Sequence, residues 1–197
     1  MLVSDHNPRL IRDRVQIRLL SSPVRQEIVD TLAALGGEAD VSSLAEHLGR
    51  PADGLYYHLR SLAQGGLIRE IRRDGGRLFA LVGEGKTPLR LVYDLSPDGN
   101  GAALKEFVKG LLHVAGRDFE TAVESGSAVV AGTRRELWAS RNKGWLAPQD
   151  IQEVNALLLR LSELTSQPRS AGRDRLVSVA FMMSPIDPKG KRRQGES

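Results

Sequence analysis

The feature that most constrains this chain is the placement of its helix breakers between residues 22 and 66. Ser22-Pro23 opens a segment that Gly36-Gly37 closes, Asp40 opens one that Gly49 closes, and Pro51-Ala52 opens one that Gly65-Gly66 closes. A serine or aspartate before an apolar run accepts bonds from the first free helical N–H groups, and proline at the first helical position loses nothing by lacking one. Glycine just past the last turn takes the left-handed conformation that ends a helix. The punctuation predicts three short helices, each marginal alone in water, so they must pack their apolar faces together. Those faces are Val24, Ile28, Val29, Leu32 and Leu35, then Val41, Leu44, Ala45 and Leu48, then Leu55, His58, Leu59 and Leu62.

Upstream, RLIRDRVQIRLL (9–20) places apolar residues at 10, 11, 15 and 19, which suits one amphipathic helix. Downstream, LIREI and RLFAL are joined by Arg-Arg-Asp-Gly-Gly, a hairpin signal. Two helices across a short Gly-containing turn form a helix-turn-helix unit, and a hairpin behind the second is a wing. The expected fold is mainly α with a small β-hairpin wing: a winged helix-turn-helix over 1–83, a linker over 84–100, a helical dimerisation or effector region over 101–183 and a disordered basic tail over 184–197. LRLVYDL is the one extended piece expected in the linker.

Advancing about 100° per residue along 52–64 separates two faces. Leu55, His58, Leu59 and Leu62 point inward, Asp53, Tyr57, Arg60 and Gln64 point outward, and Gly54, Tyr56 and Ser61 lie on the flanks. The second helix of such a unit enters the major groove. There tyrosine hydroxyls reach phosphates or bases, and an arginine fork matches guanine O6 and N7. Arg50, Asp53, Gly54, Tyr56, Tyr57, Arg60, Ser61 and Gln64, with Arg72, Arg73 and Arg77 of the wing, form the expected double-stranded DNA surface. Asp53 accepts from cytosine N4 or simply favours the positive helix N-terminus. A merely solvated helix face is the plainer alternative, and a winged helix serving protein or RNA contacts is another.

Composition narrows the remaining classes. The chain of 197 residues has no cysteine, which excludes disulfides and thiolate metal sites, and its formal charge of +4 permits a polyanionic partner. His6, His47, His58 and His113 are scattered without metal-ligand spacing, so no metal or cofactor is expected. No G-x-S-x-G, His-Glu-x-x-His or complete Walker loop occurs, GEGKTP included, which argues against an enzyme. No apolar run reaches the roughly 20 residues of a membrane span and no signal peptide is legible, so a cytoplasmic location is expected.

LLSSPVRQEIVDTL and VSSLAEHLGRPADGLYYHLRSLAQGGLIREIRRDGGRLFAL together resemble the winged-helix region of ArsR-like transcriptional regulators. The likeness spans about 15–82 and is carried by Ser22-Pro23 with Arg25 and Ile28, Leu44-Ala45, His58-Leu59, Leu62, Gly66-Leu67 and the wing around Gly76-Arg77. It implies a dimer on operator DNA, usually a repressor relieved by an effector. The absence of cysteine departs from the metal-sensing members. RNKGWLAPQDIQEVNALLLRL resembles the helical C-terminal extension of a subset of these regulators.

In the second half, Leu104, Phe107, Val108, Leu111, Ala115, Phe119 and Ala122 form one stripe at helical spacing. Ile151, Val154, Leu157, Leu158, Leu161 and Leu164 form another after Ala147-Pro148. The two helices either pack as a hairpin within the chain or also meet a second copy. Leu104, Val108, Leu111, Ala115, Leu158 and Leu161 are the expected homodimer contacts. Between them Arg134, Trp138, Arg141 and Trp145 either line a pocket for an unidentified small effector or fill gaps between helices. RLVSVAFMM reads as a terminal strand.

Overall fold

A computed structural model describes residues 9–73, 75–83 and 89–186. His6 and most of the expected basic tail (187–197) lie outside the described residues. Eleven elements follow in chain order: β1 (Arg9–Ile11), α1 (Arg14–Leu20), α2 (Pro23–Ala34), β2 (Glu38–Ala39), α3 (Val41–Leu48), α4 (Ala52–Gln64), β3 (Ile68–Arg73), β4 (Gly76–Leu81), β5 (Leu89–Leu91), α5 (Gly101–Ser125) and α6 (Pro148–Thr165).

Helices α2 to α4 begin and end where their caps put them. Ser22 precedes Pro23 at the start of α2. The Asp40 carboxylate accepts from the Ser43 N–H at 2.8 Å, which holds its pKa below the usual carboxylate range. Gly49 ends α3 with φ +59°, a conformation costly for any residue with a Cβ, and lets Arg50 N–H close back on the Ala45 carbonyl. Two residues later Pro51 has φ −63° and starts α4, so the α3–α4 turn is tight.

Leu32, Leu44, Leu59, Leu62 and Leu67 are fully buried and meet Ile17, Ile28 and Phe79 in a single core. Each contributes about 1.5–3 kcal/mol by leaving water. The wing is a three-stranded antiparallel sheet in the order β2-β4-β3, with Ile68 opposite Leu81 and Glu70 opposite Phe79. β2 adds a strand that local sequence did not announce, because two residues carry no alternation to read.

Residues 9–20 are not one helix. Arg9–Ile11 form a strand parallel to Leu89–Leu91, and Asp13 then caps a shorter helix by accepting from the Val15 N–H. Pairing with a strand eighty positions away overrides the helical periodicity and buries Ile11. Asn100, itself buried, ties this ribbon to α5: its side chain donates to the Val92 and Arg12 carbonyls and accepts from the Asp94 N–H.

α5 packs against α1 and α2 through Ala103, Leu104, Gly110 and Val114. The hairpin of α5 with α6 is not formed, and α6 has no buried residue. Leu176–Met183 adopt no strand, and among the described residues no strand lies alongside to accept their backbone bonds.

Candidate nucleic-acid interface

The face of α4 sorts as its periodicity requires. Leu55, Leu59 and Leu62 are buried, while Tyr57 is 68% and Tyr56 40% exposed. Asp53, Gly54, Arg60 and Gln64 are exposed, with Asp53 in the first turn, where its carboxylate complements the positive helix end. Ser61 is half-buried, and its hydroxyl donates back to the Tyr57 carbonyl at 2.9 Å, leaving its oxygen only as an acceptor. Arg60 has no ion pair among the described residues.

The wing lies beside this helix. The Arg77 guanidinium sits 6.0 Å from the Tyr56 ring centroid and 3.4 Å from a Glu70 oxygen, so one cation bridges sheet and helix. Arg73 forms a bidentate pair with Glu38 of β2. That partner was missed in the sequence because the two residues meet only through the strand order. Arg72 is exposed and has no ion pair among the described residues.

Arg50 is already engaged on this surface. Its guanidinium lies 3.3 Å from Glu27, and Arg117 of α5 reaches the same carboxylate at 2.6 Å. Glu27 thus receives a cation from the α3–α4 turn and another from α5, so a phosphate contact by Arg50 competes with this ion pair. His58 keeps its place on the inward side of α4, half-buried and edge-on to Tyr57. Burial first, then the cations Arg25 and Arg50, push its pKa down, and its Nδ1 has no hydrogen-bond partner among the described residues.

Residues 20–71 match a family model described as a helix-turn-helix domain. The chain carries a helix-turn-helix domain. That helix-turn-helix runs from the end of α1 into β3, and the winged sheet completes it. A search of the curated proteins found no match. No helix among the described residues is long and apolar enough to cross a membrane.

The other expected sites fall differently. Leu104 belongs to this chain's own core and is not available to a partner, while Val108, Leu111, Ala115, Leu158 and Leu161 are half-buried. The outward face of α5 instead carries Leu112, Phe119 and Val123, each exposed and spaced by seven and four residues on one line. The helix has two apolar faces, which a single stripe could not resolve. Arg134, Trp138, Arg141 and Trp145 are all exposed, Trp145 at 90%, so one chain encloses no pocket with them, nor do the rings fill gaps between its helices. Arg135 stacks on Trp138 with its guanidinium 4.1 Å from the ring centroid.

Proposed function

We propose that this protein is a sequence-specific regulator of transcription that binds double-stranded DNA as a homodimer, of the ArsR-like type and acting as a repressor. One observation carries the reading: α4 anchors Leu55, Leu59 and Leu62 in the core while holding Tyr57 and Arg60 out to solvent beside the wing. Arg60 and the tyrosines meet base edges in the major groove. Arg72 and Arg73, with Arg77, meet phosphates or the adjoining minor groove. The outward stripe Leu112, Phe119 and Val123 supports a two-fold partner, which would present two recognition helices to half-sites about 34–36 Å apart. The exposed Trp138 and Trp145 with Arg134 and Arg141 support an effector site only once a second copy covers them.

Binding of a duplex library at several salt concentrations tests the reading. Selection of a two-fold-symmetric sequence, with affinity falling steeply as salt rises, is the expected outcome, since released counterions set the slope. Absence of duplex binding at low salt, or binding without sequence preference, refutes it and favours a winged helix used for protein or RNA contacts.

A further inference from the structure

The chain exposes 15056 Å² and weighs 21.5 kDa, a mass for which a compact monomer exposes about 9,200 Å². Counting the residues outside the described set at full exposure still leaves an excess of roughly 3,000 Å². Much of that excess lies beyond α5. α6 has no buried residue, and Trp138, Trp145, Leu157 and Leu164 are all more than half exposed. Two chains together carry an excess of roughly 6,000 Å², at the upper end of the total that obligate homodimers remove from water.

The end of this arm has a more specific deficit. Leu176, Val177, Val179, Phe181, Met182 and Met183 are 44% to 74% exposed. No backbone group of 176–186 makes a hydrogen bond within the described residues. The segment 176–183 has no charge and no proline, and is extended with β-branched and aromatic side chains, the composition of a strand awaiting a sheet. Left uncovered, such a stretch invites aggregation. Its root is held within the chain, by the Arg169 N–H on the Ala34 carbonyl and by Arg175, whose guanidinium clasps Glu136 at 2.9 Å.

A matching acceptor exists in the first half. Apart from Tyr56 and Tyr57 on α4, the exposed large apolar side chains of residues 10–100 are Leu10, Val15, Tyr93 and Leu95. Leu10, Tyr93 and Leu95 belong to the β1–β5 ribbon or the few residues continuing it, and Val15 lies in the first turn of α1. Among the described residues that ribbon has two strands, and each strand keeps an outer edge with no strand beside it. Two strands alone are marginal, and an open edge is a template for a third.

Building on the homodimer reading, we propose that the arms are exchanged: residues 176–183 of each protomer add as a third strand to the β1–β5 ribbon of the other copy and cover its Leu10, Tyr93 and Leu95. Backbone bonds supply the pairing and alternate side chains cover the apolar patch, the general mode of strand addition. The exchange is symmetric, so two arms satisfy two ribbons and the assembly closes without leaving an edge to propagate.

Because the chain contains no cysteine, introduced ones report cleanly. The full-length protein carrying Tyr93→Cys, Val179→Cys or both is treated with a short bifunctional maleimide, whose spacer tolerates the unknown strand register, and run on a denaturing gel. Exchange predicts a covalent dimer band from the double variant, with each single variant remaining at monomer mobility. A cross-link at monomer mobility means the arm folds back on its own chain. A dimer band from Val179→Cys alone means arms pair with each other, and one from Tyr93→Cys alone means ribbons abut. A double variant that sediments as a dimer without cross-linking places the arm elsewhere. Each of these four results overturns the exchange while leaving the homodimer standing. Sedimentation of the unmodified protein as a monomer instead removes the homodimer reading itself. The pair Leu10→Cys and Phe181→Cys repeats the experiment should the first variants fail to fold.

Discussion

Gly110 offers a sharp test of how α5 is seated on the helix-turn-helix domain. It is buried on the inner face of α5, and a Cβ built there would stand 2.3 Å from the Ser21 carbonyl oxygen and 3.1 Å from its carbon. The obstacle is backbone, held in place because the Ser21 N–H closes the last turn of α1, so no side-chain rotation relieves it. The Gly110→Ala variant gains up to about 1 kcal/mol of helix propensity. Against this stands the cost of overpacking, about 1–3 kcal/mol. Opening the seam by nearly 1 Å would also forfeit roughly a quarter to a half of the dispersion energy along it. The loss side wins, and we expect a net destabilisation of about 1–2 kcal/mol. Gly54 is the contrast: exposed on α4, with nothing nearer its Cβ position than Pro51 Cγ at 3.9 Å. Gly54→Ala should stabilise by about 0.5–1 kcal/mol. The two alanines should therefore differ by about 1.5–3 kcal/mol, or roughly 3–12 °C in Tm for a chain of this size. Urea and thermal unfolding followed by circular dichroism at one fixed protein concentration measure this. Equal stability of the two variants, or a more stable Gly110→Ala, would refute the close approach of α5 to the α1–α2 junction.

Three further outcomes are expected. Arg60→Ala should weaken binding to the preferred duplex by about 1–3 kcal/mol and relax selectivity at one base position, read by footprinting titration; unchanged protection contradicts a base contact. Arg73→Ala should lower affinity for all duplexes alike and reduce the salt slope by about 1, whereas Glu38→Gln, which frees Arg73, should raise affinity for all of them; weaker binding by Glu38→Gln would show that the ion pair positions the wing instead of competing with phosphate. The lowered pKa of His58 means the folded state binds fewer protons there than the unfolded one, so its share of stability is full above the ordinary value of 6.5 and is lost as pH falls through the lowered one; unfolding midpoints of wild type and His58→Leu across that window check this, and parallel pH profiles would exclude the histidine as the cause.

Much of the helix-turn-helix domain was legible because its signals are local. The caps at Asp40 and Gly49 and the start at Pro51 each act within a few residues, and the buried face of α4 follows from the helical repeat alone. The candidate surface was legible for the same reason at Tyr57, Arg60 and Arg72. It was incomplete at Arg50, because nothing local shows that Glu27 and Arg117 share an ion-pair cluster with it. It was incomplete at Arg73, whose carboxylate partner lies across the sheet. The terminal strand is a different case: LVSVAFMM has the residue types of a strand, but a strand exists only against another strand, and none lies alongside it among the described residues.

The amino-acid order by itself therefore determined the boundaries of α2, α3 and α4, their buried faces and the hairpin behind them, since capping, backbone conformation and amphipathic period operate over one or two turns. Tertiary structure alone decided that residues 9–11 pair with 89–91, that α5 turns Leu104 inward and Leu112 outward, and which cations stay free at the wing. Those outcomes depend on contacts between residues tens of positions apart. Their energies follow from which surfaces meet, and no local pattern specifies that.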